Sequence, residues 1–107
     1  MRGINKVIVS GNVSEDVQFV QTSGSREQTL CTFHVASDRH TQGQVVTAWV
    51  KVNVYIEALV KLCKTRMKKG VYVLVEGELM NRGEVRAREL IFLPTGGRGD
   101  ESEIGIG

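Results

Sequence analysis

Thr47-Ala48-Trp49-Val50-Lys51-Val52-Asn53-Val54-Tyr55 runs without a break into Ile56-Glu57-Ala58-Leu59-Val60-Lys61-Leu62-Cys63, and the hydrophobic period changes between the two stretches. In the first the period is two, which is that of a half-buried strand: Ala48, Val50, Val52 and Val54 share one face and Thr47, Trp49, Lys51, Asn53 and Tyr55 the other. From Tyr55 to Lys69 it lengthens to about 3.6, so that Ile56, Leu59, Val60, Cys63 and Met67 fall on one helical stripe. This is the only helical pattern in the chain. Gly70 stands where a left-handed C-terminal cap is expected. Lys64, Arg66, Lys68 and Lys69 crowd the last turns, where cations complement the helix dipole and keep a solvated face.

The strand's two faces differ in chemistry as well as in burial. The apolar face belongs in a core. The other holds the only Trp and one of the two Tyr with a lysine between them, and such a set can stack on bases and neutralise phosphates. Aromatic residues and lysine also occur on half-buried strands with no ligand, so the remainder of the chain has to decide.

Upstream, Ile4 to Val13 reads as a first strand in which Gly11 predicts a bulge or a sharp bend. A short strand is expected at Val17 to Gln21, then a turn over Thr22 to Glu27. A second strand over Thr29 to Asp38 sets Cys31, Phe33 and Val35 inward and Thr32 and His34 outward, and a polar loop around His40-Thr41-Gln42-Gly43 leads to the Trp49 strand. Downstream of the helix, Val71 to Leu79 and Glu84 to Leu93 form a close hairpin turning at Asn81-Arg82-Gly83. Its return strand sets Arg86 and Arg88 against Val85 and Ala87. Pro94 and the glycines after Thr95 end the domain, giving an expected domain of residues 1–95 and a flexible Gly-rich acidic tail of 96–107.

One helix cannot cover a sheet on its own, and Val-rich strands left with open edges invite aggregation. A small closed sheet satisfies both constraints. The predicted fold is all-β with one helix, a five-stranded OB barrel with the helix between strands three and four.

Composition narrows the function. The chain has 107 residues, enough for one domain that buries roughly two thirds of the surface of its unfolded chain without metal or disulfide. Residues 1–95 hold 13 basic and 9 acidic side chains, a mild excess that permits a nucleic-acid partner without requiring one. Cys31 and Cys63 form no ligand pattern and read as buried thiols, while His34 and His40 are too few and too poorly spaced for zinc. No cofactor or metal is expected. No apolar span or signal-peptide core is present, which predicts a cytoplasmic location and no membrane partner. There is no phosphate loop, nucleophile elbow or placed carboxylate pair, Glu76 and Glu78 reading as solvated, so an enzyme is not expected.

Several ordered motifs resemble the bacterial-type single-stranded DNA-binding proteins. They are Arg2-Gly3-Ile4-Asn5-Lys6-Val7-Ile8 with Gly11-Asn12, Val35-Ala36-Ser37, Thr47-Ala48-Trp49-Val50-Lys51-Val52, Lys69-Gly70, and Val75-Glu76-Gly77-Glu78-Leu79 with Arg82. The resemblance extends over residues 2–93 and implies an OB fold binding single-stranded DNA in replication, recombination or repair. It implies that Trp49 stacks on bases, that Lys51 is the basic position beside it, and that Tyr55 replaces a second stacking aromatic. Lys6, Lys69, Arg82 and Arg86 match or adjoin basic positions that follow the DNA backbone. It further implies a homo-oligomer, a tetramer in preference to a dimer, built partly through the first strand. A family His in the Trp strand is Val50 here.

The chain departs from the family pattern in three places. The loop after the second strand is shorter and lacks its aromatic, with His40 the nearest candidate. The turn after Arg82 is truncated and lacks another stacking Trp. The tail is acidic at Asp100, Glu101 and Glu103 but has no Pro-Phe tip, so recruitment of replication or repair proteins is not expected. Weaker binding, or a smaller site per subunit, follows from the missing platforms. An OB accessory subunit of primosomal or plasmid type that binds proteins, and a binder of single-stranded RNA, are the alternative readings.

Overall fold

Gly11 closes the molecule. The first strand, β1 (Val7–Val13), must pair on both sides, and the place where it changes partner brings two backbones into near contact. A Cβ on Gly11 would sit inside the carbonyl oxygen of Ala36. The computed structural model describes residues 3–15, 17–22, 24 and 28–94. The tail expected at 96–107 lies outside them, as does most of the turn expected over 22–27.

The elements after β1 are β2 (Gln18–Thr22), β3 (Gln28–Thr41), β4 (Gln44–Val54), the helix α1 (Glu57–Arg66), β5 (Tyr72–Leu79) and β6 (Val85–Leu93). The strands lie in the order β1-β5-β6-β4-β3-β2, and β1 pairs again with β3 through Asn12–Ala36 and Val13–Val35. Five strands thereby close on themselves while β2 hangs on the outside of β3. This is the expected OB barrel, with α1 between its third and fourth strands. The seam between β4 and β6 is parallel and short, pairing Val52 with Val85 and Asn53 with Arg86.

The core is built mainly of valine: Val13, Val35, Val52, Val54, Val73, Val75 and Val85 surround Phe33, and α1 caps one end with Val60, Cys63 and then Met67. Branching at Cβ suits both the pleat and a narrow interior. Burying each such side chain stabilises the fold by about 1.5–3 kcal/mol relative to leaving it exposed.

Several sequence expectations are corrected. Gly11 makes no bulge, since β1 runs in unbroken register against β5 from Val7–Gly77 to Asn12–Tyr72; its small size serves the close approach of β3. The irregularity lies instead in the β5–β6 ladder, where Glu76 faces Glu89 and Gly77 faces Ala87, leaving Arg88 as the additional residue. Ile56 is exposed and is the helix N-cap rather than part of the buried stripe. Gly70 is left-handed (φ 94°) but does not cap α1, because the chain already turns extended at Met67. Leaving the helix there keeps Met67 in the core, and Gly70 then bonds β1, its N–H donating to the Val13 carbonyl at 2.8 Å.

The polar loop expected at His40 to Gly43 is a two-residue turn. Gln42 (φ 48°) and Gly43 (φ 77°) are both left-handed, which matches the right-handed twist of the flanking strands. β3 and β4 pair continuously from Cys31–Val54 to Thr41–Gln44, so His40 is a strand residue opposite Val45. Beyond Ser37 this ribbon outruns the barrel. Ala48, expected in the core, is exposed there, and Val45 and Val46 are exposed on opposite faces.

Candidate nucleic-acid interface

Residues directly opposite each other in an antiparallel ladder point to the same side. The β3–β4 register therefore sets His34 beside Lys51, Ala36 beside Trp49, Asp38 beside Thr47 and His40 beside Val45 on one outer face. Trp49 is 65% exposed, and the residue across from it is a single methyl, which leaves the indole open. Thr47 donates to Asp38 Oδ1 at 2.7 Å, tying the ribbon together just beyond the Trp.

Towards the barrel the face becomes polar and charged. Asn53, read from the sequence as an exposed residue, is only 5% exposed. The turn after β5 covers it: Asn53 Nδ2 donates to Glu84 Oε1 at 2.8 Å and approaches the Met80 sulfur at 3.7 Å. The second oxygen of Glu84 lies 4.0 Å from Lys51 Nζ. Arg86 faces Glu78 in the ladder, yet Glu78 pairs with Arg88 at 3.4 Å. The Arg86 guanidinium instead stands over the Tyr55 ring, 4.9 Å from its centroid, a cation–π contact. Trp49, Lys51, Tyr55 and Arg86 thus form a continuous run, an open aromatic followed by cations and a second aromatic.

The model of the Single-strand binding protein family matches residues 4–88. The chain belongs to this family. A single-stranded DNA-binding protein of Xanthomonas campestris pv. campestris is 37% identical over 81 residues, 73% of this chain and 46% of that protein. Single-stranded DNA-binding protein 2 of Chlorobaculum tepidum is 31% identical over 110 residues, 87% of this chain and 73% of that protein. The chain spans about half the length of several of these curated relatives, 46% and 48% of two of them. Among solved structures, a Plasmodium falciparum SSB complex with ssDNA superposes with a TM-score of 0.78 at 22% identity, covering 88% of this chain and 98% of that one. The mitochondrial single-stranded DNA-binding protein of S. cerevisiae superposes with a TM-score of 0.72 at 20% identity, covering 89% and 100%. At such identities the likeness speaks for the fold alone.

The other basic positions matched to the single-strand binding family are dispersed. Arg82 is exposed in the turn between β5 and β6, held at a left-handed φ of 73°, and this turn also carries Met80 and Glu84 to Asn53. Lys6 lies before β1 and pairs with Glu76 at 3.2 Å, on the adjoining outer surface of β1, β5 and β6. Lys69 is exposed in the turn after α1, next to Gly70 and the β1 end of the barrel rather than in the Tyr55–Arg86 cluster. His40 sits four cross-strand pairs beyond Trp49, on the same face, and also lines a cleft of about 470 Å³ with Ser10, Asn12, Asp38 and Tyr72.

Three residues of the face were not singled out from the sequence. His34 lies opposite Lys51, its Nδ1 3.9 Å from Glu15 Oε1; its placement outward on the second strand was the available signal. Asn53 shared that outward placement, on the Trp49 strand, while Glu84 carried no signal, because their pairing spans 31 residues. Among the described residues no group of three or more His, Cys, Asp and Glu could hold a metal ion, and no helix is long and apolar enough to cross a membrane. Cys31 and Cys63 are both fully buried. A hydrogen bond between the thiols, together with burial, pushes Cys31 far above the ordinary thiol range.

Proposed function

We propose that this chain binds single-stranded DNA without sequence preference, by stacking bases on Trp49 and Tyr55 and neutralising phosphates with Lys51, Arg86 and Arg82. The observation that carries the reading is the open Trp49 indole at the head of a face that continues through Lys51 to the Tyr55–Arg86 pair. Each base stacked on an aromatic contributes about 1–3 kcal/mol, and every base offers a face to stack. His40, Lys6 and Lys69 take outlying positions along the strand's path, Lys6 with its charge partly held by Glu76. The role is non-catalytic and serves replication, recombination or repair in the cytoplasm, at the nucleoid.

The test is quenching of intrinsic fluorescence by oligo-dT at low and high salt, alongside Trp49→Ala followed with a labelled oligonucleotide. Quenching that weakens with salt, and a variant losing about 1–3 kcal/mol of binding, are expected. Absence of binding at every salt concentration would turn the search towards a protein partner.

The same reading includes self-association, with a tetramer as the expected state. Only Asn12 and Val13 of β1 pair with β3, so on the side away from β5 the edge from Val7 to Gly11 has no strand beside it among the described residues. Ile8 (60% exposed) and Ile91 lie on the outer surface formed by β1, β5 and β6. An open edge next to exposed apolar side chains invites a second copy. Light scattering that returned the mass of one chain would end this part of the proposal.

A further inference from the structure

Lys61 is the cation that the helix dipole does not explain. It lies in the middle of α1, whereas Lys64 and Arg66 occupy the last turn, and the dipole acts only over the terminal turns. Lys61 and Lys64 are three apart and therefore on one side of the helix. Both are exposed, and among the described residues neither has a carboxylate within ion-pair distance. Together they flank a cleft of about 270 Å³ whose other walls include Gln28 and Thr29 of β3, Glu57 and Tyr55. The Lys64 ammonium lies 5.9 Å from the centre of the Phe19 ring of β2, at the outer reach of a cation–π contact.

Tyr55 joins this cleft to the stacking face. Tyr55 carries the Arg86 guanidinium over its ring and also lines the cleft, so cations continue past the aromatic from Arg86 to Lys61 and Lys64. Among the described residues Glu57 is the one acid in the cleft, a single turn before Lys61, and leaves the pair in excess. Gln28 and Thr29 supply neutral hydrogen-bonding groups opposite the lysines. We infer that single-stranded DNA leaving Tyr55 passes into this cleft and sets its backbone phosphates on Lys61 and Lys64. The inference rests on the proposed DNA-binding function and extends its path onto the helix. An acidic protein segment would also suit two lysines, but the uninterrupted connection to an aromatic carrying a guanidinium favours the nucleic acid.

The test uses the full chain and fluorescein-labelled dT oligonucleotides of two lengths, one short enough to occupy only the Trp49 face and one several times longer. The variants are the double Lys61→Gln, Lys64→Gln and, as an equal-chemistry control outside the cleft, Lys68→Gln. For the double variant the long oligonucleotide should bind on the order of tenfold more weakly, and the slope of log affinity against log salt should shrink by about 1.4, the value for two lost phosphate contacts on a single strand. Quenching of Trp49 by the short oligonucleotide should be unchanged, and Lys68→Gln should behave like the parent.

A double variant that binds the long oligonucleotide with parental affinity and slope would overturn the inference while leaving the stacking face intact. So would a Lys68→Gln effect half as large as that of the double variant, because the lysines would then act only through net charge. Loss of binding to a polyglutamate peptide, with DNA binding unchanged, would assign the cleft to an acidic protein instead. A parent chain that binds neither oligonucleotide would remove both this inference and the reading beneath it.

Discussion

Glu84 serves Asn53 and Lys51 at once, accepting a hydrogen bond from the Asn53 amide at 2.8 Å through one oxygen and facing the Lys51 ammonium at 4.0 Å through the other. The first contact is structural, since Asn53 is buried; the second draws off charge that a phosphate could use. Glu84→Gln keeps a hydrogen-bonding partner for Asn53 and releases Lys51. Its affinity for oligo-dT at low salt should rise several-fold and its salt slope steepen by up to about 0.7, as the Lys51 contact to phosphate becomes complete, both read by titration. Glu84→Ala should differ in kind. It strands the buried amide at a cost of about 1–3 kcal/mol, visible as a lower melting temperature.

Gly11 is a steric requirement of ring closure. A methyl there would overlap the Ala36 carbonyl, and backbone cannot rotate aside as a side-chain tip can. Gly11→Ala should destabilise the fold by about 1–3 kcal/mol, measured by urea unfolding. Gly3→Ala, where nothing lies nearby, is the matched control and should unfold like the parent.

The buried thiols give stability a dependence on alkaline pH. Cys31 holds its proton in the folded state because its thiol donates a hydrogen bond to the Cys63 sulfur and burial penalises the thiolate. The unfolded chain loses that proton at the ordinary thiol pKa, about 8.5. Below that pH the contribution is fully present; above it the unfolded state binds fewer protons and stability falls by up to about 1.4 kcal/mol per pH unit. Thermal melts from pH 7 to pH 10 should show this decline, and the double variant Cys31→Val, Cys63→Val, which has no buried thiol left to ionise, should flatten it.

The turn between β3 and β4 carries a residue poorly matched to its conformation. Gln42 has a φ of 48°, a region in which asparagine is far better tolerated. Gln42→Asn should raise stability by roughly 0.5 kcal/mol, seen in denaturant melts, and should leave oligo-dT binding unchanged.

What could be read from the sequence was whatever local periodicity encodes. The Trp49 strand, the single helix and the hairpin through Arg82 stand where alternation and turn chemistry put them, and the ring followed from there being only one helix to cover a sheet. The misreadings came from contacts made far along the chain. Gly11 reads in sequence as a bulge or a sharp bend, and no bulge forms, because its constraint is the backbone of Ala36, 25 positions away in sequence. Ala48 was placed in the core because periodicity specifies a side but not where along a ribbon the barrel ends. The Tyr55 cation contact was invisible for the same reason, as Arg86 reaches it only through the short parallel seam.

Placing the sole tryptophan outside the barrel also decides what its emission can report. Trp49 is already 65% exposed in the folded chain, so unfolding moves the indole from one aqueous environment to another and should shift its spectrum little. The interior contains no second tryptophan to signal the loss of the core. Intrinsic emission is therefore nearly silent to denaturation and responsive to whatever covers this one face, which lets binding be followed even in variants of impaired stability. Backbone circular dichroism has to follow the unfolding itself.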